Sequence, residues 1–183
     1  LDGFRGTNPG IDSREIPLYK IPFGQLFPRA VSTSTIGATQ GAINAYRDVA
    51  SKRVGTNSGS KTAEDPQAQM AVARAQALVD QLKLRLMQTY DQLMADARQG
   101  QPTDLNLRIQ YRYESAAVPE ACLAEVLELQ KMCGGRAIFT NSPLQRFVLD
   151  ILAGRAHVAN NPYQYGRNYG AIQLGLDNTD FFL

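Results

Sequence analysis

The sequence predicts an all-α fold, an up-and-down four-helix bundle of long antiparallel helices. Apolar residues recur at helical spacing over most of the 183 residues, and no stretch shows the alternation typical of a strand. With 44% hydrophobic and 20% charged residues, the composition is that of an ordinary globular protein. Long amphipathic helices bury their apolar stripes most simply against one another, and this favours a bundle.

The first 21 residues contain turn and helix-breaking signals instead of a helical pattern. Asn8-Pro9-Gly10 is a turn signal, and two prolines follow at positions 17 and 22. We therefore expect residues 1–21 to be a connector from a missing upstream domain, and residues 22–183 to form the helical bundle domain.

The first helix is predicted from about Pro22 to Arg53. It carries a stripe of larger apolar residues and a cluster of small ones, which would permit the close approach of another helix. The stripe is Val31, Ile36, Ile43, Tyr46 and Val49, and the small residues are Gly37, Ala38, Gly41, Ala42 and Ala45. A loop rich in Gly, Ser, Thr and Asn, from Gly55 to Pro66, ends this segment.

The remaining helices follow from start and stop signals. Pro66 to Gln99 is strongly periodic and stops at a glycine, and Thr103 to Met132 begins with a Thr-Asp capping signal. Within the latter, Pro119 is expected to kink or split the helix, because proline removes a backbone donor. Two shorter helices are predicted from Pro143 to about Val158 and from Tyr163 to Leu174.

Several function classes are disfavoured by composition. The net charge of +2 and the lack of a basic run indicate neither nucleic acid nor an anionic membrane as a partner. Cys122 and Cys133 lack metal-ligand spacing, and a single histidine does not complete a zinc site, so we expect a buried, reduced pair in a cytoplasmic protein and no metal. Without a phosphate loop or nucleophile motif, composition and spacing alone favour a helical interaction domain over any particular enzyme.

One constellation changes this interpretation. A glycine pair, Gly134 and Gly135, is followed by Pro143 and Asp150, and earlier Arg53 ends one helix while Gln67 opens the next. This layout resembles the C-terminal helical domain of the acyl-CoA dehydrogenase superfamily, over essentially the whole chain. In that superfamily the glycine pair approaches a flavin held mainly by a neighbouring subunit, and the arginine and glutamine contact the cofactor's phosphate region.

Within the superfamily, the segment around His157 is similar to that of the flavin-dependent aromatic monooxygenases. Acyl-CoA dehydrogenases of the medium-chain type carry a catalytic glutamate next to this position, whereas this chain has "AGRAHVANNP". An imidazole, with an ordinary pKa of about 6.5, suits work on a phenol. The resemblance implies reduced FMN or FAD delivered by a separate flavin reductase, reaction with O₂ through a C4a-hydroperoxyflavin, hydroxylation of a phenolic or other aromatic compound, and a homotetramer. His157 would deprotonate or orient the phenol, or assist protonation of the peroxide.

The resemblance implies Arg53, Gln67, Gly134 and Gly135 as flavin contacts and His157 as the catalytic residue. Each has a structural alternative: the glycine pair as a helix C-cap, Arg53 as a solvated cation at a helix end, and His157 as a structural histidine. The chain departs from the family pattern at Leu149, at Lys131 and in the longer Gly55–Pro66 loop. Two other functions stay open, an acyl-CoA dehydrogenase-like flavoenzyme and a non-catalytic helical oligomerisation module. The 183 residues alone are expected to be inactive.

Overall fold

The structure, a computed structural model, describes residues 16–55 and 59–183, which form helices joined by short connections. Five α-helices lie within these described ranges: α1 (Phe23–Ala50), α2 (Pro66–Arg98), α3 (Leu105–Met132), α4 (Pro143–Arg155) and α5 (Pro162–Gln173). The same described residues also form four short 3₁₀ helices, at Pro17–Lys20, Thr62–Glu64, Gly135–Ile138 and Val158–Asn160. Over these described ranges no strand forms, and the all-α prediction is confirmed.

The observed helix ends follow the sequence signals closely. Asp65 Oδ1 accepts the Gln67 N–H at 2.8 Å where α2 begins, and α2 ends just before Gly100, whose φ is +71°. Asp104 Oδ1 accepts the Asn106 and Leu107 N–H groups at 2.9 and 3.2 Å, so Asp104 caps α3. The side chain of Asn161 caps α5 in the same way.

The prediction that Pro119 could split its helix is wrong, because α3 continues unbroken from Leu105 to Met132. Pro119 removes one backbone donor, but Ala116, about one turn before it, and Leu123, about one turn after it, are buried. Their packing offsets the missing hydrogen bond, so the helix persists.

The described residues form two compact units. The first comprises residues 16–32, 84–117 and 157–183, and the second comprises residues 33–55, 59–83 and 118–156. The core of the first unit contains the buried residues Ile21, Leu93, Ala97 and Tyr111. Ile21 lies within the segment that the sequence assigns to a connector, and that assignment remains a prediction because residues 1–15 lie outside the described part of the chain.

The core of the second unit is larger and contains side chains from all four of its helical segments. Ile43, Tyr46, Val79, Val126 and Ile151 are among its most buried members. Of the small residues predicted on α1, Ala42 is fully buried in this core and Gly41 packs closely against a ring, whereas Gly37 is exposed with no heavy atom within 4 Å of a Cβ position.

Gly41 shows how close this packing is. A Cβ at Gly41 would lie 2.6 Å from the Phe147 ring of α4, so the ring occupies the space that a side chain at residue 41 would need. None of the helices in the described ranges is both apolar enough and long enough to cross a bilayer.

Candidate functional site

Arg53 lies three residues beyond the end of α1 and is half-buried in the second unit. Its Nη1 donates to Thr62 Oγ1 at 2.8 Å and to the Met132 carbonyl at 3.4 Å. Both acceptors are neutral oxygens, and no carboxylate in the described part of the chain lies within ion-pair distance of this guanidinium. Arg53 therefore links the loop before α2 to the end of α3 while keeping its positive charge without a counter-ion.

Gly134 lies directly against Arg53. Its φ of 72° and ψ of −173° place it in a region that only glycine adopts readily. A Cβ at this position would lie 2.6 Å from Arg53 Nη2. Gly134 follows the end of α3, which agrees with the alternative that it serves as a helix C-cap. The missing side chain also makes room for the Arg53 guanidinium.

Gly135 has a different environment from its neighbour. It is exposed, opens a 3₁₀ helix, and has no heavy atom within 4 Å of the position that a Cβ would take. The backbone at Gly135 is therefore open to a ligand or to a partner subunit.

Gln67 is exposed at the second position of α2 and lines a cavity of about 320 Å³. The wall includes the basic side chains of Arg74 and Lys131, the acidic side chain of Glu128 that pairs with Lys131, and Met132. Since the Met132 carbonyl accepts the Arg53 hydrogen bond, this cavity adjoins the Arg53–Gly134 contact. The structure thus brings Arg53 and Gly134 into contact, and Gln67 belongs to the same unit and lines a cavity that also contains Met132.

His157 belongs to the first unit and caps the 3₁₀ helix Val158–Asn160. Its Nδ1 accepts the Ala159 N–H at 3.1 Å, and its ring meets that of Phe27 edge-on, with 5.7 Å between centroids. An Nδ1 that accepts a hydrogen bond carries no proton, so the neutral ring carries its proton on Nε2. His157 therefore has a structural role as a cap, and its Nε2 makes no hydrogen bond within the part of the chain that the structure describes.

Asp150 pairs with Arg146 one helical turn earlier, at 3.8 Å between Oδ2 and Nε, with both side chains largely exposed. This agrees with the interpretation of Asp150 as a structural partner of an arginine. The two cysteines are free and buried, as expected from the sequence. Burial raises the pKa of both thiols, that of Cys133 to about 11.

Sequence reasoning missed Arg112, which is 2% exposed in the first unit. Its guanidinium donates from Nη1 to the Ala159 carbonyl at 2.8 Å and lies 3.4 Å from the centroid of the Tyr165 ring. The available signal was its spacing, because Arg112 lies between the buried residues Ile109 and Ala116 on one stripe of α3. A charged residue on such a stripe is easily assigned to solvent when only periodicity is considered.

The helices of the described residues, with the arginine–glycine contact just beyond α3, define an all-α domain. Residues 30–162 match the family described as Acyl-CoA dehydrogenase, C-terminal domain, and the chain belongs to this family. The resemblance inferred from Gly134, Gly135 and Arg53 is thereby confirmed at the level of the family.

Among similar proteins is the flavin-dependent monooxygenase oxygenase subunit HsaA of Rhodococcus jostii strain RHA1, which is 31% identical over 179 residues. That match covers 95% of this chain and 46% of the relative. An indole-3-acetate monooxygenase of Acinetobacter baumannii is 25% identical over 169 residues, covering 91% of this chain and 43% of that protein.

Solved structures agree with this fold. The crystal structure of 3-HSA hydroxylase from Rhodococcus sp. RHA1 has a TM-score of 0.89 at 29% identity, covering 100% of this chain and 47% of that one. XiaF from Streptomyces sp., in complex with FADH2 and glycerol, has a TM-score of 0.84 at 17% identity and covers 91% of this chain and 42% of that one, a likeness of fold alone. The chain spans just under half the length of the relatives it matches.

Proposed function

We propose that this chain is the C-terminal helical domain of a reduced-flavin-dependent monooxygenase that hydroxylates a phenolic or other aromatic compound. Membership of the acyl-CoA dehydrogenase family and the activities for which its relatives are named support this proposal. The oxygenase would work with O₂ and with a separate flavin reductase. Free, buried thiols accord with a cytoplasmic location.

The observation that carries the cofactor proposal is the state of Arg53. A half-buried guanidinium held by a hydroxyl and a carbonyl, with no carboxylate in the described ranges to neutralise it, fits an incoming phosphate. Gly134 keeps the space beside it clear, and Gly135 leaves exposed backbone next to it. These residues, with Gln67, would hold the phosphate region of reduced FMN or FAD.

When bound, reduced flavin supplies the electrons for inserting one oxygen atom of O₂ into the aromatic ring. His157 would serve that reaction through Nε2, because its Nδ1 is already engaged by the Ala159 N–H. In this tautomer Nε2–H is a donor, so the geometry favours orienting the substrate oxygen by a hydrogen bond over removing its proton. Of the roles left open by the sequence, we therefore propose orientation.

The role of His157 is tested with two substitutions in the intact protein. In His157→Asn, the Asn side-chain oxygen can accept the Ala159 N–H and keep the cap, but the imidazole is lost. In His157→Ala, both are lost. With reduced flavin and O₂ supplied, we expect His157→Asn to keep the helical circular dichroism and flavin binding of the wild type while losing aromatic product. Full activity of His157→Asn, with loss only in His157→Ala, would make the histidine purely structural.

The cofactor contact is tested by anaerobic titration of the intact protein with reduced FMN and with reduced FAD. Arg53→Lys keeps the charge but removes the planar fork, so we expect weaker binding of the flavin that the protein prefers. The control is Arg98→Lys, at an exposed arginine that ends α2. Equal affinities for the two variants would refute the phosphate contact.

Reduction of bound flavin by an acyl-CoA would favour a dehydrogenase, and absence of flavin binding would favour an oligomerisation module.

We also propose that the protein is a homo-oligomer, a tetramer by resemblance to its superfamily. Large apolar side chains lie exposed near the glycine pair and on α4. These are Ile138, Phe139, Leu149 and Leu152, each at least 40% exposed. Such a cluster is typical of an interface, and sedimentation of the intact protein tests it, a monomer being the contrary result.

A further inference from the structure

Arg112 is enclosed in the interior of the first unit, where a charged side chain is uncommon. It lies in the first half of α3 and its side chain meets two segments from later in the chain. One is the 3₁₀ helix Val158–Asn160, through the 2.8 Å hydrogen bond to the Ala159 carbonyl. The other is α5, through the face of Tyr165.

Only part of the hydrogen-bonding capacity of the Arg112 guanidinium is used there. Its Nε and Nη2 are buried without a hydrogen-bond partner among the described residues, and no carboxylate in those residues lies within ion-pair distance. Burial lowers the pKa of Arg112, and the opposing interactions with Tyr165 and, to a smaller extent, with Asp180 offset only part of that effect. An apolar side chain of similar volume would fill this space at lower desolvation cost. Packing alone therefore does not account for an arginine here.

Two hydrogen bonds connect Arg112 to His157. Arg112 holds the Ala159 carbonyl, and the N–H of the same residue donates to His157 Nδ1 at 3.1 Å. The Asn160 N–H donates to the His157 carbonyl at 2.8 Å and closes the turn. The position of the Ala159 backbone thus decides whether an N–H points at the imidazole, and that bond decides which ring nitrogen carries the proton.

We propose that Arg112 is a positioning residue for hydroxylation, which fixes the Nε2–H tautomer and the ring orientation of His157 through the backbone of Ala159. This inference rests on the proposed function of His157. The Tyr165 ring keeps the guanidinium in place by a cation–π contact. The Phe27 ring also meets the imidazole edge-on, so the imidazole is set by two contacts that involve no ligand.

The primary test is ¹⁵N NMR of the imidazole in the intact protein, with the His157 signals identified by their loss in His157→Asn. We expect a single Nε2–H tautomer in the wild type and a mixture of tautomers in Arg112→Met. The catalytic readout is kcat for aromatic product, which should fall about tenfold to a hundredfold in Arg112→Met because the donor is misplaced, while flavin affinity is unchanged. Arg112→Lys, which retains a charge and a donor, should recover part of the loss.

The matched control is Arg108→Met, the same substitution one turn earlier on α3, at an arginine whose pKa is also lowered by burial. It should leave the tautomer and kcat unchanged. If Arg112→Met does not fold, Tyr165→Leu replaces it, since that change removes the stacking but keeps the hydrogen bond. We expect Tyr165→Leu to change the ratio of the His157 tautomers and kcat in the same direction as Arg112→Met, but by less.

The outcomes separate this inference from the function on which it rests. If His157→Asn is inactive but Arg112→Met and Tyr165→Leu keep one tautomer and the wild-type kcat, the role of Arg112 is refuted and the function stands. If His157→Asn is fully active, the function proposed for His157 is refuted, and the catalytic role of Arg112 with it. A loss of kcat that only follows the folded fraction, with the tautomer intact, also refutes the positioning role.

Discussion

Gly134→Ala should destabilise the protein through two separate effects. The first is the backbone: at φ 72° and ψ −173°, an alanine is strained by about 1–3 kcal/mol. The second is the contact with Arg53, because the new Cβ would lie 2.6 Å from Nη2, well inside normal contact distance. The guanidinium must move away from Gly134 to accommodate it.

The cost of that movement depends on how far Arg53 shifts. Its Nη1 bond to Thr62 Oγ1 is 2.8 Å long, and a hydrogen bond from a charged group contributes about 1.5–3 kcal/mol. A shift of a few tenths of an ångström keeps part of this bond, and a larger one loses it. Adding the backbone strain, we expect a loss of about 2–5 kcal/mol in the free energy of unfolding.

Chemical denaturation of the intact protein measures this loss. The slope m, the dependence of the free energy of unfolding on denaturant concentration, should be the same in the variant and the wild type. The control is Gly135→Ala, at a neighbouring residue whose φ is not positive and whose Cβ would meet open space. We expect that variant to lie within about 0.5 kcal/mol of the wild type. In combination with Arg53→Ala, Gly134→Ala should lose only its backbone part, so the double variant should be more stable than the sum of the two single changes.

Two results would refute this reasoning. Equal stabilities for Gly134→Ala and Gly135→Ala would show that neither the conformation nor the guanidinium demands glycine at residue 134. Strict additivity with Arg53→Ala would leave the backbone effect but disprove the contact. Gly134→Ala also bears on the cofactor site, because displacement of Arg53 should weaken flavin binding in that variant.

Three further changes test the second unit, each by the denaturation midpoint. Gly41→Ala should lower stability by about 1–3 kcal/mol because its Cβ would lie 2.6 Å from the Phe147 ring, and Phe147→Leu in the same chain should relieve this. Gly37→Ala should instead raise stability by about 0.5–1 kcal/mol, because Gly37 lies in the same helix and no heavy atom lies within 4 Å of its Cβ position. A loss of stability in Gly37→Ala would contradict the view that the cost at Gly41 comes from its contact with Phe147. Burial raises the pKa of Tyr46 from 10.0 to about 12, so its contribution to stability is present below about pH 10 and is lost as the pH rises toward 12. Tyr46→Phe should remove this loss of stability between pH 10 and 12. Because the variant also lacks the 3.2 Å hydrogen bond to the Ala68 carbonyl, its free energy of unfolding at neutral pH should be lower by about 1 kcal/mol. A variant that still loses stability between pH 10 and 12 as the wild type does would contradict this account.

Much of the fold was predictable because its signals are local. The start of α2 at Pro66, its stop before Gly100 and the acidic cap of α3 depend on neighbours within one helical turn, and all appear as expected. A split at Pro119 was wrongly allowed because a local rule does not weigh the burial of the side chains around it, and the kink that the sequence equally allowed stays a prediction.

The candidate site was predictable only in part. Gly134 and Arg53 were identified by the resemblance to a known family, but nothing in the sequence showed that they touch each other. Arg112 was missed because it is far in sequence from the Ala159 carbonyl that it holds. The tautomer of His157 was likewise open until the Ala159 N–H was seen to bond Nδ1.

The sequence by itself therefore determined the helices, their approximate ends and the family to which they belong. Only the tertiary structure decided that Gly134 makes room for a guanidinium, that Arg112 is buried, and which edge of His157 faces away from its own turn. The physical reason is that helix formation depends on hydrogen bonds and side chains within a few residues. A functional site depends instead on which distant side chains share a low-dielectric interior, and that is settled by packing.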